Sequence, residues 1–131
     1  MIELPWWCEI DVRIVHPELN PVALTQVLRI TPSISQLPGE SKVPYGECHS
    51  AGYWCVSHRV SFPDRPDIAI TWAEQFLHRN EIQMQKLVNQ KADINIYLGI
   101  HANVMAVGFV FPATPTISKL ALKLGIEFYS K

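Results

Sequence analysis

Two stretches of this chain, CEIDVRI from Cys8 to Ile14 and DINIYLGI from Asp93 to Ile100, alternate apolar and polar residues without a break. A side chain that changes sides at every residue marks an extended strand with one buried and one wet face. A third stretch, GYWCVSHRVSF from Gly52 to Phe62, sets Trp54, Val56 and Val60 against Tyr53, Ser57 and Arg59 in the same way. The alternation constrains more than local structure, because it states which residues share a face. If Ile10, Val12, Trp54, Val56, Ile94, Ile96, Leu98 and Phe128 face a layer of helices, then parity puts Glu9, Asp11, Arg13, Tyr53, Cys55, Ser57, Arg59, Asn95, Tyr97, Glu127 and Tyr129 on the other side. That second face is polar and aromatic.

The helices come from the segments between. Asn20 followed by Pro21 is an N-cap with proline at the first helical position, and Leu24, Val27 and Leu28 supply an apolar stripe that Thr31-Pro32 should end. Asp64 to Asp67 leads into a helix with Ile68, Trp72 and Phe76 on one side, and a second piece over Glu81 to Asn89 carries Met84, Leu87 and Val88. Thr114-Pro115 repeats the capping device, Ile117, Leu120, Ala121 and Leu124 follow at helical spacing, and Gly125 is placed to stop that helix. A short strand around Ser33 to Leu37, one over VMAVGFVF (Val104 to Phe111) and one from Ile126 to Tyr129 complete the expected order β-α-β-β-α-β-β-α-β. The segments VRIVHPELNPVALTQVLRITPSIS and VGFVFPATPTISKLALKLGIEFYS share the sequence strand, proline, cap, proline, helix, strand. Either a degenerate internal β-α-β repeat or two independent uses of one local device explains them. The expected fold is α+β, a single domain over residues 1–131 with ferredoxin-like elements: an antiparallel or mixed sheet with its helices on one face.

Composition sets outer limits. A chain of 131 residues can bury roughly two-thirds of its unfolded surface. With 48% hydrophobic and 18% charged residues it is not a disordered composition, and no apolar run approaches the length of a membrane span. The opening MIELPWW carries Glu3 where an export signal would be basic, and the three cysteines, Cys8, Cys48 and Cys55, are too few for a stapled secreted domain. A cytoplasmic setting with reduced thiols is expected. A formal net charge of −1 gives no general attraction to nucleic acid.

The helix NPVALTQVLRITPS running into Ile30-Thr31-Pro32, a downstream Gly39, the GYWCVS strand, the WAEQFLHRN helix, DINIYLGI and the closing LALKLGIEFY form a recognisable outline. It resembles the family called domain of unknown function 4279, over nearly the whole chain. The resemblance brings no catalytic residues with it. It implies a small bacterial cytoplasmic protein, similar in size and character to the immunity partners of contact-dependent toxins.

Motifs for specific chemistry are weak. Cys48, His49, Cys55 and His58 lie within eleven positions, but their spacing fits no usual zinc pair, and in a strand Cys55 and His58 point to opposite faces. CHSAG matches a nucleophile elbow only at Ser50 and Gly52, and a strand rather than a helix follows it. Cys55 has no histidine or acid placed beside it by sequence, while Glu9 and Asp11 beside Arg13 read more simply as an ion-paired surface than as an acid–base pair. Open-face tyrosines echo RNA-binding sheets, yet the basic excess and signature motifs are missing. Trp6 and Trp7 either cover the end of the core or leave an apolar patch.

The resulting expectation is a non-enzymatic protein-binding domain, an immunity protein that occludes a toxin's active site. The open sheet face would supply Glu9, Asp11, Arg13, Tyr53, Arg59, Asn95, Tyr97 and Tyr129, and the long loop from Gln36 to Ser50 would supply Glu40, Lys42, Tyr45 and Glu47. No cofactor, metal, nucleic acid or membrane is called for. Two alternatives stay open: a small-ligand or enzymatic site on the same face, led by Glu9, Asp11, Arg13 and Arg59, and a homodimer joined through a strand edge or the Trp6-Trp7 patch.

Overall fold

The structure, a computed structural model, describes residues 5–38, 51–102 and 110–130. The chain runs β1 (Trp6–His16), α1 (Pro21–Leu28), β2 (Ile34–Gln36), β3 (Gly52–Ser61), α2 (Asp67–Arg79), α3 (Glu81–Asn89), β4 (Asp93–Ala102), α4 (Pro115–Lys119) and β5 (Lys123–Ser130). Its strands form one sheet in the order β2-β3-β1-β4-β5. The first four neighbour one another antiparallel, and β5 joins β4 in parallel. The order 2-3-1-4 with helices after β1 and β3 is the split β-α-β of ferredoxin-like proteins, extended here by α4 and β5. The fold is thus α+β with a mixed sheet.

β1 is the centre because its alternation is the longest. Cys8, Ile10, Val12 and Ile14 are fully buried, while the residues between them are only partly so. Their cross-strand partners carry the same parity: Val12 sits between Val56 and Ile96, and Ile14 between Trp54 and Ile94. Full burial of each such aliphatic side chain contributes about 1.5–3 kcal/mol.

Over this face α2 packs against β1, β3 and β4. Its buried face is Ala69, Ile70, Ala73, Phe76 and Leu77, and the expected Ile68 is exposed. A spacing of four residues rotates round a helix of 3.6 residues per turn, so Ile68, Trp72 and Phe76 do not share one line. Ala69 and Ala73 are as fully buried as Ile70 and Leu77. Phe76 stacks between Trp54 and Trp72, and Trp72 stacks on His58 of β3. The Trp54 indole N–H donates to Thr25 Oγ1 of α1 at 3.1 Å, which satisfies a polar group inside an apolar layer.

Helix ends obey local chemistry, with corrections. Asn20 Oδ1 accepts the Ala23 N–H at 3.1 Å, as an N-cap should. α1 stops not at Thr31-Pro32 but at Arg29, whose φ of 55° is left-handed, and Val27 lies outside the buried stripe of Pro21, Leu24 and Leu28. α4 is five residues long and does not continue to Leu124; Ala121 at φ 55° turns the chain, and Leu124 and Gly125 belong to β5. Thr114 makes no side-chain cap. Glu74 of α2 does that work from a distance, its Oε1 accepting the N–H groups of Thr116 and Ile117 at 2.9 and 3.0 Å. Both segments of the suspected repeat therefore end their helix on a left-handed residue and feed an edge strand, but one edge is antiparallel and the other parallel. Most of the strand expected over Val104 to Phe111 lies outside the described residues; Val110 and Phe111 are exposed and irregular.

Candidate functional site

The face away from the helices carries five cross-strand rows, led on β1 by Trp7, Glu9, Asp11, Arg13 and Val15. The first runs Trp7, His101, Tyr129 across β1, β4 and β5. The rings stack in series, Trp7 on His101 at 4.0 Å and His101 on Tyr129 at 4.7 Å, nearly parallel in both cases. Arg59 of β3 extends the stack, its guanidinium 4.1 Å from the Trp7 ring centre while it pairs with Glu9 at 3.5 Å. Four strands so contribute one slab of flat side chains. The parity that buries Trp6 at the edge of the core turns Trp7 onto this face.

The next rows are polar. Gly99 and Gly125 have no side chains here, and the Tyr97 and Tyr129 rings lie over the space they leave, within 3.4–3.7 Å of where a Cβ would stand. Both phenols converge on Glu127: Tyr129 donates to Oε2 at 2.7 Å, and the Tyr97 hydroxyl meets both Glu127 Oε2 and the Tyr129 hydroxyl. These bonds hold the Glu127 carboxyl below its ordinary range, Tyr97 contributing most. Partial burial, and then the Glu127 bond, push Tyr97 upward. Beside them Arg13 lies 5.0 Å from the Tyr97 ring centre and pairs with Asp11 at 3.0 Å. Asp11 also accepts Ser57 Oγ at 2.6 Å. Arg13 Nε is buried without an acceptor among the described residues.

Of the residues expected on this face, Glu9, Asp11, Arg13, Arg59, Asn95, Tyr97 and Tyr129 are brought together there. Tyr53 has the expected parity but is buried, as are its neighbours Cys55 and Gln36. The face is closed around Tyr53, Cys55 and Gln36, and the accessible part spans β1, β4, β5 and the Ser57–Arg59 stretch of β3. Burial, followed by the neighbouring Asp11, raises the Cys55 thiol, which keeps it in the poorly nucleophilic form. His58 points to the helix side and Cys55 away from it, so the two cannot share an ion. Glu40, Lys42, Tyr45 and Glu47, with Cys48 and His49, lie outside the described residues.

Two members of the slab, Trp7 and His101, lie one step outside the alternating stretches Cys8 to Ile14 and Asp93 to Ile100. Carrying the alternation one step further at each end places both, since Trp7 is in step with Glu9 and His101 with Tyr97. A second feature had no sequence signal. A groove of about 580 Å³ lies between α1 and α3, lined by polar His16, Glu18, Lys86 and Gln90 and apolar Leu24 and Leu87 among others. His16 is engaged there, Nδ1 accepting the Glu18 N–H at 3.0 Å and Nε2 facing the Gln90 carbonyl at 2.9 Å. Acceptance at Nδ1 assigns the proton to Nε2.

No protein-family model, curated protein or solved structure matches the chain. Among the described residues no helix is long and apolar enough to cross a membrane.

Proposed function

We propose that the chain is a protein-binding domain whose recognition surface is the part of the open sheet face formed by β1, β4, β5 and Arg59 of β3, and that its partner is an enzyme domain whose active site it covers, as an immunity protein covers a toxin. The family resemblance brings no residue roles, so the proposal rests on one observation: the Arg59–Trp7–His101–Tyr129 stack, flanked by polar groups already bonded to one another. Tryptophan, tyrosine and arginine carry most of the energy of protein interfaces, and rings held in place by their neighbours lose little entropy on binding.

The electrostatics favour recognition over acid–base chemistry. General acids and bases are tuned towards neutrality, whereas here Tyr97 is moved further into its protonated range and Glu127 further into its ionised range. Each keeps the charge it would carry anyway, which suits a surface of fixed pattern.

The experiment is co-expression with the product of the adjacent gene, followed by co-purification and inhibition of that product's activity. Trp7→Ala and Tyr129→Ala should each weaken the complex by at least tenfold while the circular dichroism spectrum stays unchanged. Unaltered affinity in both variants would move the interface elsewhere. A small-ligand reading has one observation in its favour, the groove between α1 and α3, whose volume suits a compact organic molecule. A ligand-induced thermal shift abolished by Lys86→Ala, and untouched by Trp7→Ala, would select it.

A further inference from the structure

The two edges of the sheet are finished differently. β2 closes one side with three residues, which is short enough to be a poor template for another chain. β5 closes the other with eight residues and no proline, and among the described residues no strand pairs with its outer side. Monomeric proteins blunt such an edge with prolines, bulges or inward charges. Here the edge is apolar on its helix side. Leu124, Ile126 and Phe128 share the parity of Ile96, Leu98 and Ile100, yet Ile126 is 37% and Phe128 60% exposed. The helix layer stops short of them, with α4 packed against α2.

We propose that β5 is a self-pairing edge. Two copies of this chain would join their β5 strands antiparallel about a two-fold axis normal to the sheet, with Ile126 facing its own equivalent. Such an axis keeps both helix layers on one side, so only registers that pair residues of equal parity are allowed. Three of these overlap the strand well enough to consider. Centring on Glu127 sets that carboxylate against itself, which is unfavourable for like charges directly opposite. Centring on Gly125 opposes Lys123 and Glu127 but runs Phe128 past the start of the partner strand, towards Leu122 and the left-handed turn at Ala121. Centring on Ile126 keeps Lys123 to Tyr129 within the ladder.

That last register is also self-complementary on both faces. On the helix side Ile126 meets Ile126, and Leu124 meets Phe128, so the exposed apolar residues cover each other. On the open side Gly125 lies opposite Glu127, leaving room for the two tyrosines that hold it, and Lys123 falls diagonal to Glu127 of the second copy, within reach of a long side chain. Keeping Glu127 from its own equivalent and Phe128 within the ladder sets the register, the diagonal charge pair is compatible with it, and the apolar contacts supply the affinity. The doubled sheet would present two open faces side by side. The inference stands on the edge of the sheet and is independent of the proposal made for its face.

The test uses the whole chain. Light scattering over a concentration series should give twice the chain mass for the native sequence and half that value for Ile126→Lys, with the circular dichroism spectrum retained. In a Cys48→Ser background, Ile126→Cys should form an intermolecular disulfide under mild oxidation. Opposed Cα atoms in an antiparallel pair lie about 4.5–5.5 Å apart, inside the disulfide range. A monomer at every concentration overturns the proposal, as does a dimer that survives Ile126→Lys. Cross-linking by Glu127→Cys in preference to Ile126→Cys overturns the register. A monomer that instead captures an extended peptide of another protein along β5 also overturns self-pairing.

Discussion

Gly52 shows how much can depend on one missing atom. A Cβ there would stand 2.6 Å from the Cβ of Leu19 and 2.7 Å from its carbonyl oxygen. The segment joining β1 to α1 therefore crosses the start of β3 at backbone contact. Leu19 is itself buried, so the loop has no free direction in which to retreat. Gly52→Ala should cost about 1–3 kcal/mol of stability through that overpacking, read as a lower urea midpoint. An unchanged midpoint would mean that the loop is looser than this contact implies. Gly99 makes a useful contrast. Its nearest neighbours to an added Cβ are the ring edges of Tyr129 and Tyr97 at 3.4 and 3.5 Å, ordinary contact distances, so Gly99→Ala should leave the urea midpoint nearly unchanged where Gly52→Ala lowers it. Neither glycine announces this role in the sequence, because what each one touches lies far away along the chain.

Among the elements, α4 depends most on others. It has five residues, its first is a proline, and isolated helices this short are unstable in water. It persists because Glu74 caps it from α2 and because Lys119 pairs with Glu81 at 2.7 Å. Glu74→Ala should cost about 1.5–3 kcal/mol, the usual worth of hydrogen bonds to a charged acceptor, and Glu74→Gln less because an oxygen remains to accept them. Equal losses in both variants would show that charge, not the oxygen, is what the helix needs. At the other end Ala121 holds a left-handed conformation that disfavours every residue with a Cβ. Ala121→Gly should raise the thermal midpoint, stabilising the fold by roughly 1 kcal/mol, the reverse of the effect expected at an ordinary helical alanine. The strands were the most legible elements, since alternation reports burial directly. α4 was the least: Ile117, Leu120, Ala121 and Leu124 have helical spacing, yet three of them belong to the turn and strand beyond. Local spacing could not reveal that β4 would draw Leu124 into a ladder beside Ile96.

At the scale of the whole molecule, burial leaves a signature in alkaline solution. Burial lifts the Cys8 thiol from 9.0 to about 11, against a small opposing backbone contact at Val60. Burial also raises Cys55 and Tyr53. For each group the unfolded chain releases its proton first as pH rises. The contribution to stability is therefore complete below the unfolded value and lost on passing through the folded one. For Cys8 that window runs from 9.0 to about 11. The urea midpoint should hold up to the start of the window and fall across it, and Cys8→Ala should flatten the fall while lowering the plateau through the cavity it leaves. Native Cys8 and Cys55 should likewise resist alkylating reagents until denaturant is added, since both are buried and held as thiols. Rapid labelling of either in the native protein would contradict the packing described for the sheet.

What the sequence determined by itself was the two-sidedness of the sheet. Period-two alternation is a local property of a strand, so Ile10, Val12, Ile94, Ile96 and Leu98 were bound to one face, and Glu9, Asp11, Arg13, Asn95 and Tyr97 to the other, whatever the strand order. Only the tertiary structure decided which of those residues meet. Strand order and register set Trp7 on His101 and His101 on Tyr129, brought two phenols across glycines to Glu127, buried Tyr53 and, among the described residues, placed β5 at the edge of the sheet. Those outcomes depend on contacts between residues tens of positions apart, and parity along one strand carries no information about its neighbours.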